Sequence, residues 1–519
     1  MDEVEIRRGR KCTRILLLSG IVLCVVGSGL ILGWLLWGNK ENLYKEYGIV
    51  FDAGSSHTNL FVYQWPGEKE NGTGNVEERG MCRADGSGIS SYTDTPRLAG
   101  PSLEECLDST ALRLVPQKRQ QETPVFLGAT AGMRLLDETD PDTSDAILDS
   151  VRQTIASYPF NFTDDQARII TGEEEGTYGW ITTNILLHSF VDGSSFERHV
   201  RSLIFSENAM PTVGALDLGG ASTQISFIPE VPEALPVGDS QHLRLYGSDY
   251  VVYTHSYLCY GKNEARRQFY ASLVENANYS EEVTNPCGAL GLNESMYGSY
   301  LWKAPCTQSQ SDQNFTENDI KYFFIGTSDP DECLVKVHNL FNFSAPCEDE
   351  PCSFDGVHQP TPYGKFVAFS GYYYAIDNLN LTSNATINQL NVTRDEFCRR
   401  NLTDIQNIPD IWDNIYLYCF DINYVYTLLV DVYNFTEDNW NIEFVRDIEG
   451  TNVGWSLGYM VNATNGIPSE LPSILIHEPV YYGLLGVYCV LLFLGTIMLI
   501  LAARRRYKRR RQQAMYVSI

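Results

Sequence analysis

The chain has 519 residues, of which 44% are hydrophobic, and a formal net charge of −27. This length allows two sizeable hydrophobic cores. The strongly acidic balance argues against nucleic-acid binding, because a phosphate backbone requires a basic surface. A small anionic substrate remains compatible, since it needs only a local pocket of amides, a few cations and a metal ion.

Two apolar segments lie near the ends of the chain, at residues 15–37 and 480–503. Each is long enough to cross a hydrocarbon core of about 30 Å as a helix. A cleaved signal peptide is the alternative for the first segment, but the segment is long for one and no clear cleavage site follows it. Basic residues precede the first segment and follow the second, which predicts that residues 1–14 and 504–519 are cytoplasmic. We therefore expect a plasma-membrane protein with two spans.

The region between the two spans has the features of an extracellular domain. It contains ten of the thirteen cysteines, an even number that is typical of a disulfide framework, whereas Cys12, Cys24 and Cys489 lie in or beside the spans. All twelve Asn-X-Ser/Thr glycosylation motifs also fall in this region. Their asparagines are Asn71, Asn161, Asn278, Asn293, Asn314, Asn342, Asn380, Asn384, Asn391, Asn401, Asn434 and Asn462.

The same region alternates between strand-like and helix-like segments, which indicates an α/β architecture. The predicted strands are Tyr47–Asp52, Asn59–Tyr63, Pro124–Thr130, Ala167–Thr171, Val213–Asp217 and Thr223–Phe227. One helix is predicted to begin near Ala131, and another to run through Trp180–Leu187. Residues 276–320 and 376–405 are rich in Asn, Ser and Thr and are predicted to be surface insertions.

One sequence pattern occurs twice, with an offset of 165 residues. The segments Asp52–Thr58 and Asp217–Thr223 share Asp, Gly and Thr at matching positions, with small residues between them. A repeat of this length indicates a duplicated domain rather than a solenoid.

Each copy of the repeat predicts a strand, a tight turn and a second strand. Gly54 and Gly219 permit the turn, and the turn amides and hydroxyls can bind phosphate oxygens. Asp52 and Asp217 are anions that cannot bind phosphate directly, but they can hold a hydrated divalent cation that bridges the phosphates. Two ordinary β-hairpins are the alternative, since Asp-x-Gly is common in turns. Two copies in the same phase favour a paired phosphate site.

Three consecutive glutamates, Glu173–Glu175, stand where a predicted strand gives way to a helix. Acidic residues stabilise a helix N-terminus through the macrodipole, which explains them without catalysis. The functional alternative is that one carboxylate activates a water molecule. The run of glutamates itself leaves both interpretations open.

Three further segments carry weaker signals. Thr130 ends a predicted strand, where α/β proteins place ligand-binding groups. At least one of the adjacent tyrosines Tyr372–Tyr374 can face a pocket and stack on a base, although core packing is the more frequent role. Gly454–Gly458 matches the serine-hydrolase pattern G-x-S-x-G, but the apolar strand required before it is missing, and its only downstream histidine is His477. The chain contains neither G-x-x-x-x-G-K-S/T nor H-E-x-x-H.

Taken in order, these segments resemble the apyrase conserved regions of the ecto-nucleoside triphosphate diphosphohydrolases. The resemblance runs through Asp52–Thr58, Gly128–Arg134, Ile170–Trp180, Leu216–Gln224, Ala368–Tyr374 and Gly454–Met460. With two spans and ten external cysteines, the chain is similar to the two-span cell-surface subgroup. The resemblance implies the α/β fold of the actin and sugar-kinase superfamily, with two ribonuclease-H-like lobes around a central cleft. Residues 38–170, joined by 448–479, would form lobe I, and residues 171–447 would form lobe II with disulfide-stapled insertions.

The resemblance also implies an activity and its site. The activity removes the γ- and then the β-phosphate of extracellular nucleotides such as ATP, ADP, UTP and UDP, stops at the monophosphate, and requires calcium or magnesium. Glu175 would be the catalytic base, with Thr130, Ser222 and Gln224 placing the water. Asp52 and Asp217 would hold the metal through water. The phosphates would be lined by Ser55, Ser56, His57, Thr58, Gly219, Gly220, Ala221 and Ser222. The base of the nucleotide would be bound by Tyr374, Lys262 and Tyr418.

Among the many possible cysteine connectivities, the resemblance selects pairing between neighbours. The implied pairs are Cys82–Cys106, Cys259–Cys306, Cys287–Cys333, Cys347–Cys352 and Cys398–Cys419. Two positions depart from the family pattern: Lys262 stands where an Arg is expected, and Asn452 where many relatives have Asp. These departures affect the expected nucleotide preference more than the expected activity.

Partners and alternatives complete the sequence-based expectations. The expected partners are extracellular nucleotides and the lipid bilayer, and the two spans could support a homo-oligomer. A sugar-type kinase of the same fold and a catalytically silent receptor are the alternatives. Release of phosphate from ATP without an acceptor would distinguish the nucleotide hydrolase, the kinase and the receptor.

Overall fold

The computed structural model describes residues 3–38, 45–190, 212–231, 235–236, 238, 240–308, 319–408, 415–470 and 478–517. It contains two compact units. One consists of residues 1–45, 66–68 and 469–519, and the other of residues 46–65 and 69–468. The predicted glycosylation site Asn314 and the downstream histidine His477 lie outside the described residues.

The larger unit is built around two mixed β-sheets. In chain order, the strands in the described residues are β1 Lys45–Ala53, β2 Thr58–Pro66, β3 Glu77–Arg83, β4 Val125–Ala129, β5 Ala167–Ile169, β6 Gly214–Leu218, β7 Ser222–Phe227, β8 Ser240–Leu245, β9 Ser248–Leu258, β10 Glu282–Asn285, β11 Asn293–Tyr297, β12 Lys321–Gly326, β13 Phe366–Ser370, β14 Ile442–Phe444, β15 Asp447–Ile448 and β16 Thr451–Asn452. The first sheet has the order β3-β2-β1-β4-β5 and the second the order β14-β13-β6-β7-β9-β8. A third sheet, β10-β12-β11, and the hairpin β15-β16 are smaller.

The described residues also form fifteen α-helices, of which the first and the last belong to the smaller unit. In chain order they are α1 Glu3–Gly38, α2 Glu104–Cys106, α3 Leu112–Leu114, α4 Ala131–Thr139, α5 Pro141–Ala156, α6 Gly172–Leu186, α7 Lys262–Asn276, α8 Gly298–Trp302, α9 Pro330–His338, α10 Gly371–Asp377, α11 Ile387–Cys398, α12 Leu402–Gln406, α13 Tyr418–Thr427, α14 Trp455–Thr464 and α15 Glu478–Val517. Local sequence sets several helix starts. Asp140 caps α5 by accepting from the Thr143 amide, and a proline occupies the first turn.

The sequence repeat is also a structural repeat. Strand β1 neighbours β2 on one side and pairs in parallel with β4 on the other. Strand β6 likewise pairs with β7 and, in parallel, with β13. In each sheet the repeated turn therefore follows the carboxyl end of a central strand, the edge where α/β folds bind ligands.

Both faces of the first sheet are buried. Phe51 packs into one hydrophobic cluster and its neighbour Val50 into another, as expected for alternating side chains on a strand covered on both sides. The second cluster also contains Trp180 of α6, Phe369 of β13 and Met460 of α14. This cluster joins elements of both sheets, and so it fixes α6 between them.

The predicted strands are confirmed within a few residues at each end. The predicted surface insertions are wrong in part. Trp302, Leu390 and Phe397 are buried in the largest hydrophobic cluster, and the segments around them form β10, β11, α8, α11 and α12. These segments therefore contribute to the core while they expose most of their glycosylation motifs.

The five predicted disulfides are confirmed. They join Cys82–Cys106, Cys259–Cys306, Cys287–Cys333, Cys347–Cys352 and Cys398–Cys419. Cys12, Cys24 and Cys489 are not in disulfides.

The smaller unit contains the two terminal helices. Within α1 and α15, the stretches Arg10–Trp34 and Tyr482–Arg511 are long and apolar enough to cross a membrane, by length and composition. The helices pack closely, because a Cβ added to Gly27 would lie 3.2 Å from the Leu492 nitrogen. Their outer faces expose large apolar side chains such as Leu18 and Phe493. Such an apolar surface is compatible with a lipid environment.

Candidate active site

The two repeated turns face each other. A Cβ added to Gly220 would lie 2.7 Å from the Ser55 hydroxyl oxygen, so the turns are in close contact. The amides of Lys262 and Asn263, at the start of α7, donate to the carbonyls of Gly219 and Gly220 at 2.9 Å and fix the second turn. A cavity of about 390 Å³ adjoins this contact and is lined by Ser55, Gly220, Ala221, Asn263, Glu264, Arg266, Arg267 and Tyr300.

Both turns require glycine for the same structural reason. A Cβ on Gly54 would approach the His57 carbonyl at 3.1 Å, and a Cβ on Gly219 would approach the Ser222 carbonyl at 3.1 Å. That distance is tighter than ordinary contact. Matching constraints at equivalent positions support the interpretation of the repeat as a duplicated functional element.

The two repeated aspartates lie in a region of low hydration. Burial raises the pKa of both aspartates to about 7, and the negative charge of Glu175 raises it as well. Trp455 Nε1 donates to Asp52 Oδ1 at 2.8 Å, a hydrogen bond that lowers the pKa of Asp52. Three carboxylates thus share one partly dehydrated region.

This region fits a hydrated divalent cation. Asp217 Oδ1 is buried and has no hydrogen-bond partner among the described residues, and such an acceptor is costly unless a donor or cation satisfies it. The described residues contain no cluster of three or more His, Cys, Asp or Glu side chains that could hold a metal directly. Water-mediated binding by Asp52 and Asp217 agrees with the unsatisfied Asp217 Oδ1 and the nearby Asp52 carboxylate, since Mg²⁺ usually keeps several waters.

Glu175 lies at the centre of a polar network at the start of α6. Its Oε2 accepts from Arg134 Nη2 at 2.7 Å and from Gln224 Nε2 at 3.3 Å. The Ser222 hydroxyl accepts from the same two groups, at 3.1 Å and 2.8 Å. Burial raises the pKa of Glu175, and the charge of Arg134 offsets part of that rise. The structure thus brings the predicted residues Glu175, Ser222 and Gln224 together.

The three adjacent glutamates have different environments. Glu174 accepts from both terminal nitrogens of Arg168, at 2.7 and 2.6 Å, and caps α6 by accepting from the Thr171 amide at 2.9 Å. Burial raises the pKa of Glu174, but these hydrogen bonds outweigh it and the net shift is downward. Glu173 makes no side-chain hydrogen bond or ion pair with the described residues. Helix capping therefore explains Glu174, whereas only Glu175 joins the central network.

The threonines near the turns occupy buried positions. Thr130 follows β4 and is 5% exposed, with its hydroxyl 3.5 Å from the Ala53 carbonyl. Thr58 is buried, and its hydroxyl has no partner among the described residues. Thr223 donates to the Asp217 carbonyl at 2.7 Å and contacts the hydroxyls of Tyr372 and Tyr433 at 3.2 Å. The turn hydroxyls were expected to bind phosphate oxygens, but the Thr223 hydroxyl instead stabilises the hairpin from behind.

The remaining turn residues are more accessible. The Ser56 hydroxyl lies 2.9 Å from His57 Nδ1. Burial, followed by the charge of Arg83, lowers the pKa of His57. A neutral imidazole can donate or accept a hydrogen bond, which suits a residue that lines a phosphate site without adding a fixed charge.

The three residues expected to bind the base of the nucleotide lie in two places. Tyr374 is 50% exposed, and its ring contacts Tyr373 with centroids 5.4 Å apart. Lys262 Nζ lies 3.4 Å from Asp421 Oδ2. Burial, and then the charge of Asp421, raises the pKa of Tyr418. Lys262 and Tyr418 are therefore linked through the buried Asp421, whereas Tyr374 is available for stacking.

Sequence reasoning assigned no role to two residues of this network, Arg134 and Trp455. Both belong to matched motifs, but nothing in the sequence indicates that they contact Glu175 and Asp52. The serine-hydrolase motif is not an active site here, because Ser456 is 5% exposed and its hydroxyl lies 2.9 Å from the Tyr63 hydroxyl.

Comparisons with known proteins agree on one family. Residues 39–476 match the model of the GDA1/CD39 (nucleoside phosphatase) family. The chain is 41% identical to human ectonucleoside triphosphate diphosphohydrolase 3, over 89% of this chain and 87% of that protein. It is 42% identical to mouse ectonucleoside triphosphate diphosphohydrolase 8, over 82% and 84% of the respective chains. The chicken type 2 enzyme is 38% identical over 94% of each chain.

A solved structure shows the same fold at low sequence identity. The nucleoside triphosphate hydrolase structure from Neospora caninum superposes with a TM-score of 0.61 and 18% identity, over 85% of this chain and 95% of that one. This match concerns the fold alone. The family match and the full-length relatives decide the classification, and the chain belongs to the GDA1/CD39 (nucleoside phosphatase) family.

Proposed function

We propose that this protein hydrolyses the terminal phosphoanhydride bond of extracellular nucleoside tri- and diphosphates, among them ATP, ADP, UTP and UDP. The products are inorganic phosphate and, finally, the nucleoside monophosphate, so the enzyme would terminate or shape purinergic signalling. The single observation that carries the proposal is the network of Glu175, Arg134 and Ser222 beside two facing turns. It places a carboxylate of raised pKa beside donors suited to a phosphate.

Water is the nucleophile in this mechanism. Glu175 accepts the proton of the attacking water at Oε2, while Ser222, Gln224 and Thr130 hold that water in line with the terminal phosphorus. The transition state of phosphoryl transfer is loose, so positioning and electrostatics supply most of the acceleration. The P–O bond to the leaving phosphate breaks as the bond to water forms.

The two turns bind the phosphate chain. Backbone amides and hydroxyls of residues 55–58 and 219–222 surround it from both sides, and Arg134 supplies positive charge near the terminal phosphate. Tyr374 stacks on the base, and Lys262 and Tyr418 border it. Residues 38–170 with 448–479, and residues 171–447, are the two lobes that carry these groups.

Asp52 and Asp217 would hold a divalent cation, calcium or magnesium, through its water molecules. Bound there, the cation would supply positive charge to offset the charge of the phosphate chain. Asp52 keeps its orientation through the hydrogen bond from Trp455.

The protein resides in the plasma membrane. The two apolar helices span the bilayer, the basic segments at both ends are cytoplasmic, and residues between the spans are extracellular. The ten disulfide-bonded cysteines agree with an oxidising compartment. The paired helices also offer a surface for homo-oligomers.

A time course with intact cells tests this function. Cells that express the protein receive ATP, and ATP, ADP, AMP and phosphate are measured in the medium with and without excess chelator. We expect ADP and then AMP to accumulate with stoichiometric phosphate, and no turnover with chelator. A receptor would release no phosphate, and a kinase would require an added acceptor.

A further inference from the structure

The small sheet β10-β12-β11 has one buried face and one exposed face. On the buried face, the Phe324 ring packs against Tyr270 of α7 with centroids 4.7 Å apart, and the Tyr270 hydroxyl donates to Glu294 Oε2 at 2.8 Å. The other face carries Phe323 and Ile325, which are 38% and 40% exposed. Both belong to the central strand β12. Scattered apolar side chains are normal on a surface, but neighbouring ones on an open sheet face favour association unless something covers them.

The strand register brings a glycosylation motif to this apolar pair. In the antiparallel ladder of β11 and β12, Asn293 pairs with Ile325 and Ser295 pairs with Phe323. Directly opposed residues of antiparallel strands lie on the same face, with Cβ atoms about 5 Å apart. Asn293 and Ser295 are exposed, and with the residue between them they form an Asn-X-Ser acceptor motif. A sugar attached to Asn293 would therefore begin beside the apolar pair.

The surroundings of the pair suit a sugar ring. Thr284 of β10 occupies the paired position on the other side of Ile325, and its small side chain leaves the larger one accessible. At the opposite end of the pair, the Lys321 ammonium lies 5.8 Å from the Phe323 ring centroid and 5.5 Å from that of Tyr297. The result is an apolar surface bordered by hydrogen-bonding groups. A pyranose ring is complementary to it, because the ring has an apolar C–H face and hydroxyls around its edge.

We propose that Asn293 carries an N-linked glycan whose first N-acetylglucosamine covers Phe323 and Ile325, so that this sugar is part of the folded surface. The attachment joins the side-chain amide nitrogen of Asn293 to the anomeric carbon of an oligosaccharide carried on a lipid diphosphate. The lipid diphosphate leaves and the amide loses one proton. Because β11 is an edge strand of its sheet, the glycan also keeps a further strand from pairing there. The inference rests on the extracellular placement in the proposed function, but not on the hydrolytic activity.

Three variants of the full-length protein in detergent separate the glycan from the side chains of its motif. Asn293→Gln and Ser295→Ala both remove the acceptor motif, whereas Ser295→Thr keeps it. Peptide mass measures the occupancy of Asn293. We expect Asn293→Gln and Ser295→Ala to melt about 2 °C or more below the wild type, and Ser295→Thr to melt with the wild type. The same difference should persist after all glycans are trimmed to a single N-acetylglucosamine, since the first sugar makes the contact.

Removal of the apolar pair tests the contact itself. In a Phe323→Thr, Ile325→Thr background, Asn293→Gln should lower the melting temperature little further, because the sugar no longer covers an apolar surface. Asn384→Gln is the matched control. Asn384 belongs to another glycosylation motif and lies exposed in the loop between α10 and α11. Its substitution should leave the melting temperature at the wild-type value.

The outcomes distinguish this inference from the proposed extracellular placement. An unmodified Asn293 in a protein whose other motifs are glycosylated would overturn the inference and leave the placement standing. Wild-type melting of Asn293→Gln, or an equal loss of stability with and without the apolar pair, would mean that the glycan does not cover Phe323 and Ile325. If no motif carries a glycan, the extracellular placement is wrong as well.

Discussion

Arg134 and Glu175 form a buried ion pair, with 2.7 Å between Nη2 and Oε2 and side-chain exposures of 13% and 11%. The same nitrogen reaches the Ser222 hydroxyl at 3.1 Å. Arg134 thereby orients the carboxylate and the hydroxyl that the proposed mechanism needs on either side of the attacking water. A phosphate that enters the site would compete for this guanidinium and free Glu175 to accept a proton.

The three glutamates provide the sharpest test of the proposed base. Glu175→Gln should lose at least about 10²-fold in turnover while it still binds nucleotide and metal, because the amide cannot accept the proton of water. Glu174→Gln should lose stability, since it weakens the Arg168 pair and the helix cap. Glu173→Gln should change little. Turnover, nucleotide affinity and melting temperature are measured for all three after surface expression is checked.

The alternative for this segment is that all three glutamates act only through the helix dipole. That account predicts three small and similar effects, visible mainly as lower stability. Retention of more than about a tenth of wild-type turnover in Glu175→Gln would contradict its assignment as the base.

Arg134→Lys tests whether the three hydrogen bonds of the guanidinium are needed in addition to its charge. Lysine keeps the positive charge but cannot match the planar fork that serves Glu175, Ser222 and the Ile170 carbonyl together. Turnover should fall by about 10²-fold with nearly normal stability. Arg152→Lys is the control, because the guanidinium of Arg152 donates to a backbone carbonyl, that of Ala167. Equal, small losses in both variants would mean that the charge of Arg134 is sufficient.

The architecture was largely predictable from local patterns. The repeated Asp-x-Gly segment predicted two equivalent hairpins, and the structure places both beside a parallel strand at the carboxyl edge of a sheet. The error at residues 276–320 has a physical cause. Strand β10 alternates exposed and buried positions, so the exposed polar residues Glu282 and Thr284 concealed the buried Val283 between them.

The site was predictable only in part. Three consecutive helical residues point in different directions, but the packing of the helix decides which one faces the cleft. Here Gly176 sets that rotation, because a Cβ there would lie 2.5 Å from the Thr254 hydroxyl. Contacts between distant residues, such as Trp455 with Asp52, leave no periodic signal in a single sequence. The tertiary fold is needed to find them.

Asp52→Asn and Asp217→Asn test the two-sided metal site. Each amide substitution removes a negative charge that balances the cation and orients its water shell, so each variant should be nearly inactive. Asp249→Asn, at an exposed pair with Arg244, should retain activity. Purified variants are assayed over a calcium titration. Substantial activity of either variant at saturating calcium, or of the wild type in excess chelator, would refute a site that needs both aspartates.

Trp455→Phe tests whether the indole acts through Asp52. Phenylalanine keeps most of the ring that packs against Gly128, where a Cβ would lie 2.3 Å from the indole, but it loses the N–H that bonds Asp52 at 2.8 Å. Without that donor the carboxylate is less well oriented, and the calcium concentration for half-maximal activity should rise about tenfold, with a smaller change in maximal turnover. Trp440→Phe, which removes a similar hydrogen bond to the Ala385 carbonyl at 2.9 Å, should lower the melting temperature without a change in calcium requirement. If Trp455→Phe lowers maximal turnover and leaves the calcium requirement unchanged, the indole does not act through metal binding by Asp52.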